Sequence, residues 1–330
     1  MYPILRLNRN ITHILQDIIS ANIEDNINNG LVNQITIVDD DSHISTYSFI
    51  TKKPDEEAYM VTLSAAFCQF FWLISDICMK MIDLSIIKEE CKKINIDLPS
   101  YKKLTERILQ EPLEYILLMI QRYPGISPIQ YLDYLRRSMQ LLDETAFTQN
   151  FMEELKMASS IIDVNSNIDH NAISKIDIDG LYEQKVNSVY CFGIAFVLLH
   201  ELSHLSLGHF EKGGQSKQKE VDADLNAFWA VFNDIRDDRR FSANVGILCM
   251  MFSLMMTNPA LYEDGIHPRE DKRIFAIYDK IRGENPKYTV LLIKLFTIWS
   301  KMYKKEGFPE ISDDTDASLK MIRDYFDMMS

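Results

Sequence analysis

The chain has 330 residues, 47% hydrophobic, 25% charged and 11% aromatic, with only 11 Gly and 10 Pro. At roughly 150 residues per domain that length holds one large domain or two smaller ones, and the composition excludes a disordered, fibrous or disulfide-stapled chain. Lys and Arg number 35 against 48 Asp and Glu, a net charge of -13 that argues against nucleic acid, whose backbone is bound through cationic contacts, and for a protein or peptide partner.

The N-terminal stretch meets Arg6 and Arg9 before an apolar run of signal-peptide length develops, which speaks against secretion. Ile11, Ile14, Leu15, Ile18, Ile19, Ile23 and Ile27 recur at three- and four-residue intervals, the stripe of an amphipathic helix, and Gly30 sits at its expected stop. The β-branched stretches Gln34–Val38 and Ile44–Ile50 flank Asp39, Asp40, Asp41 and Ser42 and read as a small β-hairpin over 34–50. The most apolar window, 58–77, is interrupted by Thr62, Ser64, Gln69, Ser75 and Asp76. It reads as a buried helix rather than a membrane span, which needs about 20 clean apolar residues.

From Pro54 to about 160 the patterns are helical, punctuated by Leu98-Pro99-Ser100, Pro112 and Pro124-Gly125, so a helical bundle is expected. Phe67, Phe70, Phe71, Trp72 and Met79 read as its core. The polar interval 163–180, with an exposed His170, is the best boundary or flap. It separates a helical N-terminal region, 1–165, from a region 180–330, unless the two form one continuous domain. The latter carries helical patterns through His200, over Lys217–Ile235, Phe241–Met256, Arg269–Ile281 and Tyr288–Lys305, and a last one after the acidic start Ser312-Asp313-Asp314. Five scattered cysteines, with no pair at a two-residue gap, suit a reducing, cytoplasmic setting.

One segment carries chemistry. In NSVYCFGIAFVLLHELSHLSLGHF, residues 187–210, His200, Glu201, Leu202, Ser203 and His204 spell H-E-x-x-H behind an apolar lead-in. At 3.6 residues per turn the four-residue gap puts both imidazoles on one helix face, where they can converge on a single metal ion. Glu201 projects about 100° around the axis, beside the metal, where a base acting on water belongs. With 7 His in the chain, independent draws produce this string in about one such chain in a hundred.

Glu220 opens Glu220-Val221-Asp222-Ala223-Asp224 on the next helical pattern, after Gly213 and Gly214 permit a reversal. An antiparallel return brings Glu220 level with His204 and Asp224 nearer His200, while Asp222 points elsewhere. Glu220 is therefore the expected third ligand, and Asp224 an outer acceptor that fixes a ligand imidazole through its second N–H. The reverse assignment stays open, since either carboxylate ligates zinc. An exposed acidic face is the plainer alternative, but Ala223, Ala227, Phe228 and Val231 lay an apolar seam beside the acids. His209 is a rival third ligand. Three-histidine proteases place a glycine three and a third His six residues past the second His, however, whereas Gly208 and His209 lie four and five past it, so His209 reads as a helix-end residue. Farther on, His267-Pro268 opens a helix containing Arg273. Beside a metal site His267 could donate to an oxyanion and Arg273 pair with a carboxylate; a surface cap and a salt bridge are the plainer readings.

HELSH, EVDAD and HP-x4-R together resemble the glutamate-ligand zinc metallopeptidases of the HtpX and CAAX-prenyl endopeptidase type, whose pattern is HExxH, ExxAD and HPxxxxR. Those enzymes carry membrane helices around the site. In overall size and in its helical region before HExxH, the chain is more similar to the soluble Lit-like phage-exclusion peptidase family. The motifs span 190–273, about a quarter of the chain. What this resemblance implies is a bacterial cytoplasmic peptidase that cleaves a translation elongation factor when a phage-derived peptide activates it. The residues themselves lead to a mainly α metallopeptidase holding Zn2+ through His200, His204 and Glu220, with Glu201 as general base, and the resemblance implies that it is zincin-like, of gluzincin type. The alternative is a non-enzymatic module in which zinc staples two helices.

Overall fold

The computed structural model describes Leu7, Ile11, 32–38, 48–52, 59–93, 95–110, 183–209, 216–258, 260–261, 263 and 266–329. The expected helices over 11–27 (beyond Ile11) and 112–160, the acidic turn at 39–42, the polar interval 163–180 and the Gly213-Gly214 reversal lie outside these residues. Two compact units partition the chain: Met1–Asp76 together with Ala158–Ser330, and Ile77–Met157.

The larger unit contains a three-stranded sheet made of β1 (Val32–Val38), β2 (Ser48–Lys52) and β3 (Tyr59–Ser64), in the order β1-β3-β2. β1 runs parallel to β3, and β2 pairs with β3 antiparallel. This corrects the expected hairpin over 34–50: Gln34–Val38 and, within the second stretch, Ser48–Ile50 are in strands, but β3 lies between them. β3 was hidden inside the apolar window 58–77. Its alternation puts Val61 and Leu63 on one buried face, a period of two that the following helix obscures by continuing the apolar run.

That helix, α1 (Ala65–Lys93), gives residues 65–76 to the larger unit and 77–93 to the smaller. In the smaller unit it is followed by α2 (Leu98–Gln110), and Ile87 and Cys91 pack there against Leu84, Leu98 and Tyr101.

The larger unit continues with α3 (Glu183–Ser206), α4 (Lys217–Asp234), α5 (Asp237–Thr257), α6 (Glu270–Ile281), α7 (Pro286–Met302) and α8 (Thr315–Met328), so the described chain is mainly helical. Side-chain caps fix several starts: Ser216 accepts from the Lys219 N–H, Asn285 from that of Lys287, and Asp314 from those of Asp316 and Ala317. Helix α3 is the core, buried on all sides from Val189 to Leu199. It meets α5, itself buried from Ala243 to Ser253, where two glycines face each other. A Cβ on Gly193 would stand 2.8 Å from the Gly246 carbonyl oxygen, and one on Gly246 would stand 2.4 Å from the Val189 carbonyl oxygen. The backbones touch because neither position carries a side chain. Phe71 of α1 stacks on Tyr190, and Trp72 donates its indole N–H to Asn187 Oδ1 at 2.9 Å. Both α3 and α5 are long and apolar enough to cross a membrane, but their apolar windows are 78% and 72% buried inside the protein, as core helices are.

Candidate metal centre

Burial of its apolar lead-in carries α3 into the core, and its last two turns bring His200 and His204 with it, 8% and 7% exposed. The rings meet edge to face, with their Nε2 atoms 3.1 Å apart. Ser203, between them, donates to the Leu199 carbonyl at 2.6 Å and accepts from Asn226 Nδ2 at 2.9 Å, which ties α3 to α4.

Glu220 lies in the first turn of α4, where the positive end of the helix dipole favours an acid. It presents Oε2 to His200 Nε2 at 3.4 Å and Oε1 to His204 Nε2 at 3.5 Å. Asp224, one turn on, places Oδ1 2.9 Å from His200 Nδ1. Arg273 of α6 donates to the same carboxylate twice, from Nε at 2.7 Å and Nη2 at 2.8 Å. Asp222 is exposed and accepts from Gln218. Glu201 is half-buried beside His200, and His267 is exposed just ahead of α6. His209 brings its Nδ1 to 3.0 Å from His204 Nδ1, the nitrogen facing away from the cluster.

His200, His204 and Glu220 thus offer three ligand atoms that all lie within 4.8 Å of one another. The two Nε2 atoms stand 3.1 Å apart, and the Glu220 carboxylate reaches them with one oxygen each, Oε2 at 3.4 Å from His200 and Oε1 at 3.5 Å from His204. Two imidazole nitrogens and one carboxylate are also the donor types zinc takes in catalytic sites. The residues fit a divalent metal.

The sequence profile of a family described as Peptidase U49 matches residues 115–293, more than half of the chain. The chain belongs to the Peptidase U49 family. It is therefore a peptidase by family, a hydrolase whose substrate is a protein. No curated protein and no solved structure matches it.

In this U49 peptidase the matched region contains every residue of the cluster. Its electrostatics follow from burial. Desolvation alone would push the His200 pKa down, but hydrogen bonds to Asp224 and Glu220 outweigh it and raise it to about 9. Desolvation and the neighbouring His200 push His204 down to about 4. Burial works against ionisation of both acids, yet Arg273 holds the Asp224 carboxyl well below the usual range, and the hydrogen bond to His200 lowers that of Glu220. All five cysteines are buried, and burial pushes the Cys191 thiol up to about 12, which makes it a poor nucleophile.

Two features escaped the sequence reading. The Ser203–Asn226 bond carries no motif signal. The position of His209 did have one: Gly208 adopts φ +66°, a helix-ending conformation, and the residue after such a glycine folds back over the last turn. The exposed carbonyl at this helix end is met by Lys219 Nζ, which donates to the His209 oxygen at 2.8 Å.

Proposed function

We propose that the chain is a zinc-dependent endopeptidase in which His200, His204 and Glu220 hold the metal and Glu201 is the general base. The observation that carries this reading is the convergence of two imidazole Nε2 atoms and one carboxylate within 4.8 Å of one another, in a chain of a peptidase family. Zinc bound there would supply a Lewis acid that polarises a peptide carbonyl and acidifies water.

Glu201 takes a proton from the attacking water as the water oxygen bonds to the carbonyl carbon. It then gives that proton to the amide nitrogen as the C–N bond breaks, so one water is added across the peptide bond. Asp224, with Oδ1 2.9 Å from His200 Nδ1, sets the orientation of that ring by pairing with it, and the doubly bonded Arg273 fixes Asp224. His267 is the donor we assign to the developing oxyanion, in keeping with its place ahead of the helix that delivers Arg273. A zinc staple would call for four protein ligands. Among the described residues the cluster has three, because Asp224 is turned to Arg273 and to the outer nitrogen of His200.

The finer assignments rest on resemblance. HELSH, EVDAD and HP-x4-R support a gluzincin-type site of zincin-like fold. The likeness to Lit-like peptidases supports a cytoplasmic enzyme of phage defence, switched on by a phage-derived peptide and cutting an elongation factor. The test is to express wild type and Glu201→Gln in bacterial cells and compare newly created protein N-termini, with the zinc content of both purified proteins. New N-termini with wild type alone, at equal zinc, are expected. The same N-termini from both proteins would remove Glu201 from the mechanism.

A further inference from the structure

We propose that His209 positions His204: its Nδ1 accepts the N–H of His204 Nδ1 and so holds the His204 ring with Nε2 turned into the cluster. This rests on the metal-site reading above. The end of α3 is built to place it. Gly208, in the left-handed region at φ +66°, donates its N–H to the Leu205 carbonyl, and His209 donates its N–H to the His204 carbonyl, each at 2.9 Å. These two bonds define a Schellman turn, in which the second residue past the helix end commonly lays its side chain against the residue whose carbonyl it caps. Those two residues here are His209 and His204.

That contact is usually apolar, but here it joins two imidazoles. The Nδ1 atoms stand 3.0 Å apart, with ring centroids at 5.1 Å and ring planes at 66°. The His209 backbone is held on both sides of its ring, by the bond from its N–H to α3 and by Lys219 Nζ on its carbonyl. Lys219 directly precedes Glu220, so the tie runs to the helix that brings the carboxylate.

An imidazole that binds a metal through one nitrogen carries its proton on the other, and a buried N–H without an acceptor is costly. For His200 that acceptor is Asp224. For His204 the atom at the outer nitrogen is His209 Nδ1, and a neutral imidazole can accept there while keeping its proton on Nε2. The two ligands thus have unequal supports, one anionic and one neutral.

The test measures zinc affinity of the full-length chain by competition with a chelator, and the cobalt(II) absorption spectrum, for wild type, His209→Phe and His209→Gln. Phe keeps the ring and removes the acceptor; Gln restores an oxygen acceptor. We expect His209→Phe to weaken zinc binding about 10–100-fold and His209→Gln to stay within about threefold of wild type. The metal-free Tm should be unchanged in both, and the cobalt bands of the Phe variant should shift without loss of coordination number. Wild-type affinity in the Phe variant, equal weakness in Phe and Gln, or zinc loss explained by a lower metal-free Tm would each overturn the assignment while leaving the metal site standing. A drop in cobalt coordination number would overturn it in favour of direct ligation. A wild-type protein that takes up no zinc would bring down the metal reading and this assignment together.

Discussion

Replacing Asp224 by Asn keeps the side chain's shape and removes its charge. Three N–H groups face that carboxylate: Arg273 Nε at 2.7 Å, Arg273 Nη2 at 2.8 Å and His200 Nδ1 at 2.9 Å. Asp224, Arg273 and His200 are 3%, 8% and 8% exposed, so water cannot step in. Asn offers one oxygen and one NH2 group, which forces donor against donor. Removing one partner of a buried ion pair costs about 3–5 kcal/mol, because the other charge stays buried. In a unit of this size each kcal/mol moves Tm by about 2–4 °C, so the metal-free Tm should fall by about 6–20 °C. Zinc affinity should fall about 10–100-fold for a separate reason, the lost acceptor behind His200. The double variant Asp224→Leu, Arg273→Met separates the two effects. Replacing a whole buried pair by apolar residues is often neutral for stability, so Tm should largely recover while zinc binding stays weak. Thermal unfolding of the metal-free proteins and chelator competition read the two quantities. If the double variant recovers both, or if the single variant binds zinc like wild type, the carboxylate does not orient the ligand.

Glu220→Ala should lower zinc content below one per chain on purification, measured by elemental analysis; unchanged content would move the third-ligand role to another group. Because the metal-free His200 titrates near about 9, zinc must displace one proton there, and apparent affinity should rise about tenfold per pH unit between pH 6.5 and 9. The same raised pKa gives the metal-free protein stability that is complete below pH 6.5 and lost as the pH rises through 9. His204, lowered to about 4, costs stability as the pH falls from 6.5 toward 4, so the metal-free Tm should peak near 6.5. A flat Tm across both windows would refute this. Gly246→Ala should destabilise by about 1–3 kcal/mol or more, since its Cβ meets the Val189 carbonyl at 2.4 Å, whereas Gly283→Ala, with nothing within 4 Å, should be neutral or slightly stabilising; denaturant unfolding compares the two.

What the sequence makes legible here is periodicity. The helices from Lys217 onward fall close to where three- and four-residue spacing puts them, and the last begins at the acidic start that ends in Asp314, whose side chain caps it. The sheet was less legible. Strand pairing is a long-range choice, and nothing in the stretches around 34–38 and 44–50 says that a third strand enters between them. Within the site, spacing alone nominates His200, His204, Glu220 and Asp224 as neighbours. It cannot say which ring nitrogen faces which acid, since that depends on side-chain rotation. The helix crossing that sets the height of α3 depends on Gly193 and Gly246, residues that carry no chemical signal in a sequence.

The charges of the cluster explain why so polar a group can sit at the end of a core helix. In the metal-free protein His200, with its raised pKa, is protonated at neutral pH. With Arg273 it balances Glu220 and Asp224, so the buried set is neutral. A divalent ion that displaced the His200 proton would leave one positive charge in excess, which an ionised Glu201, half-buried and next to His200 in the chain, would offset. If Glu201 is the base proposed above, the charge it would lose on taking a proton from water would reappear on the water oxygen, so the total would not change during the step. In a low-dielectric site an unbalanced charge is costly, whereas shifting one between fixed neighbours needs little reorganisation. The same arithmetic would favour a dication over a monovalent ion, which would leave an ionised Glu201 unbalanced.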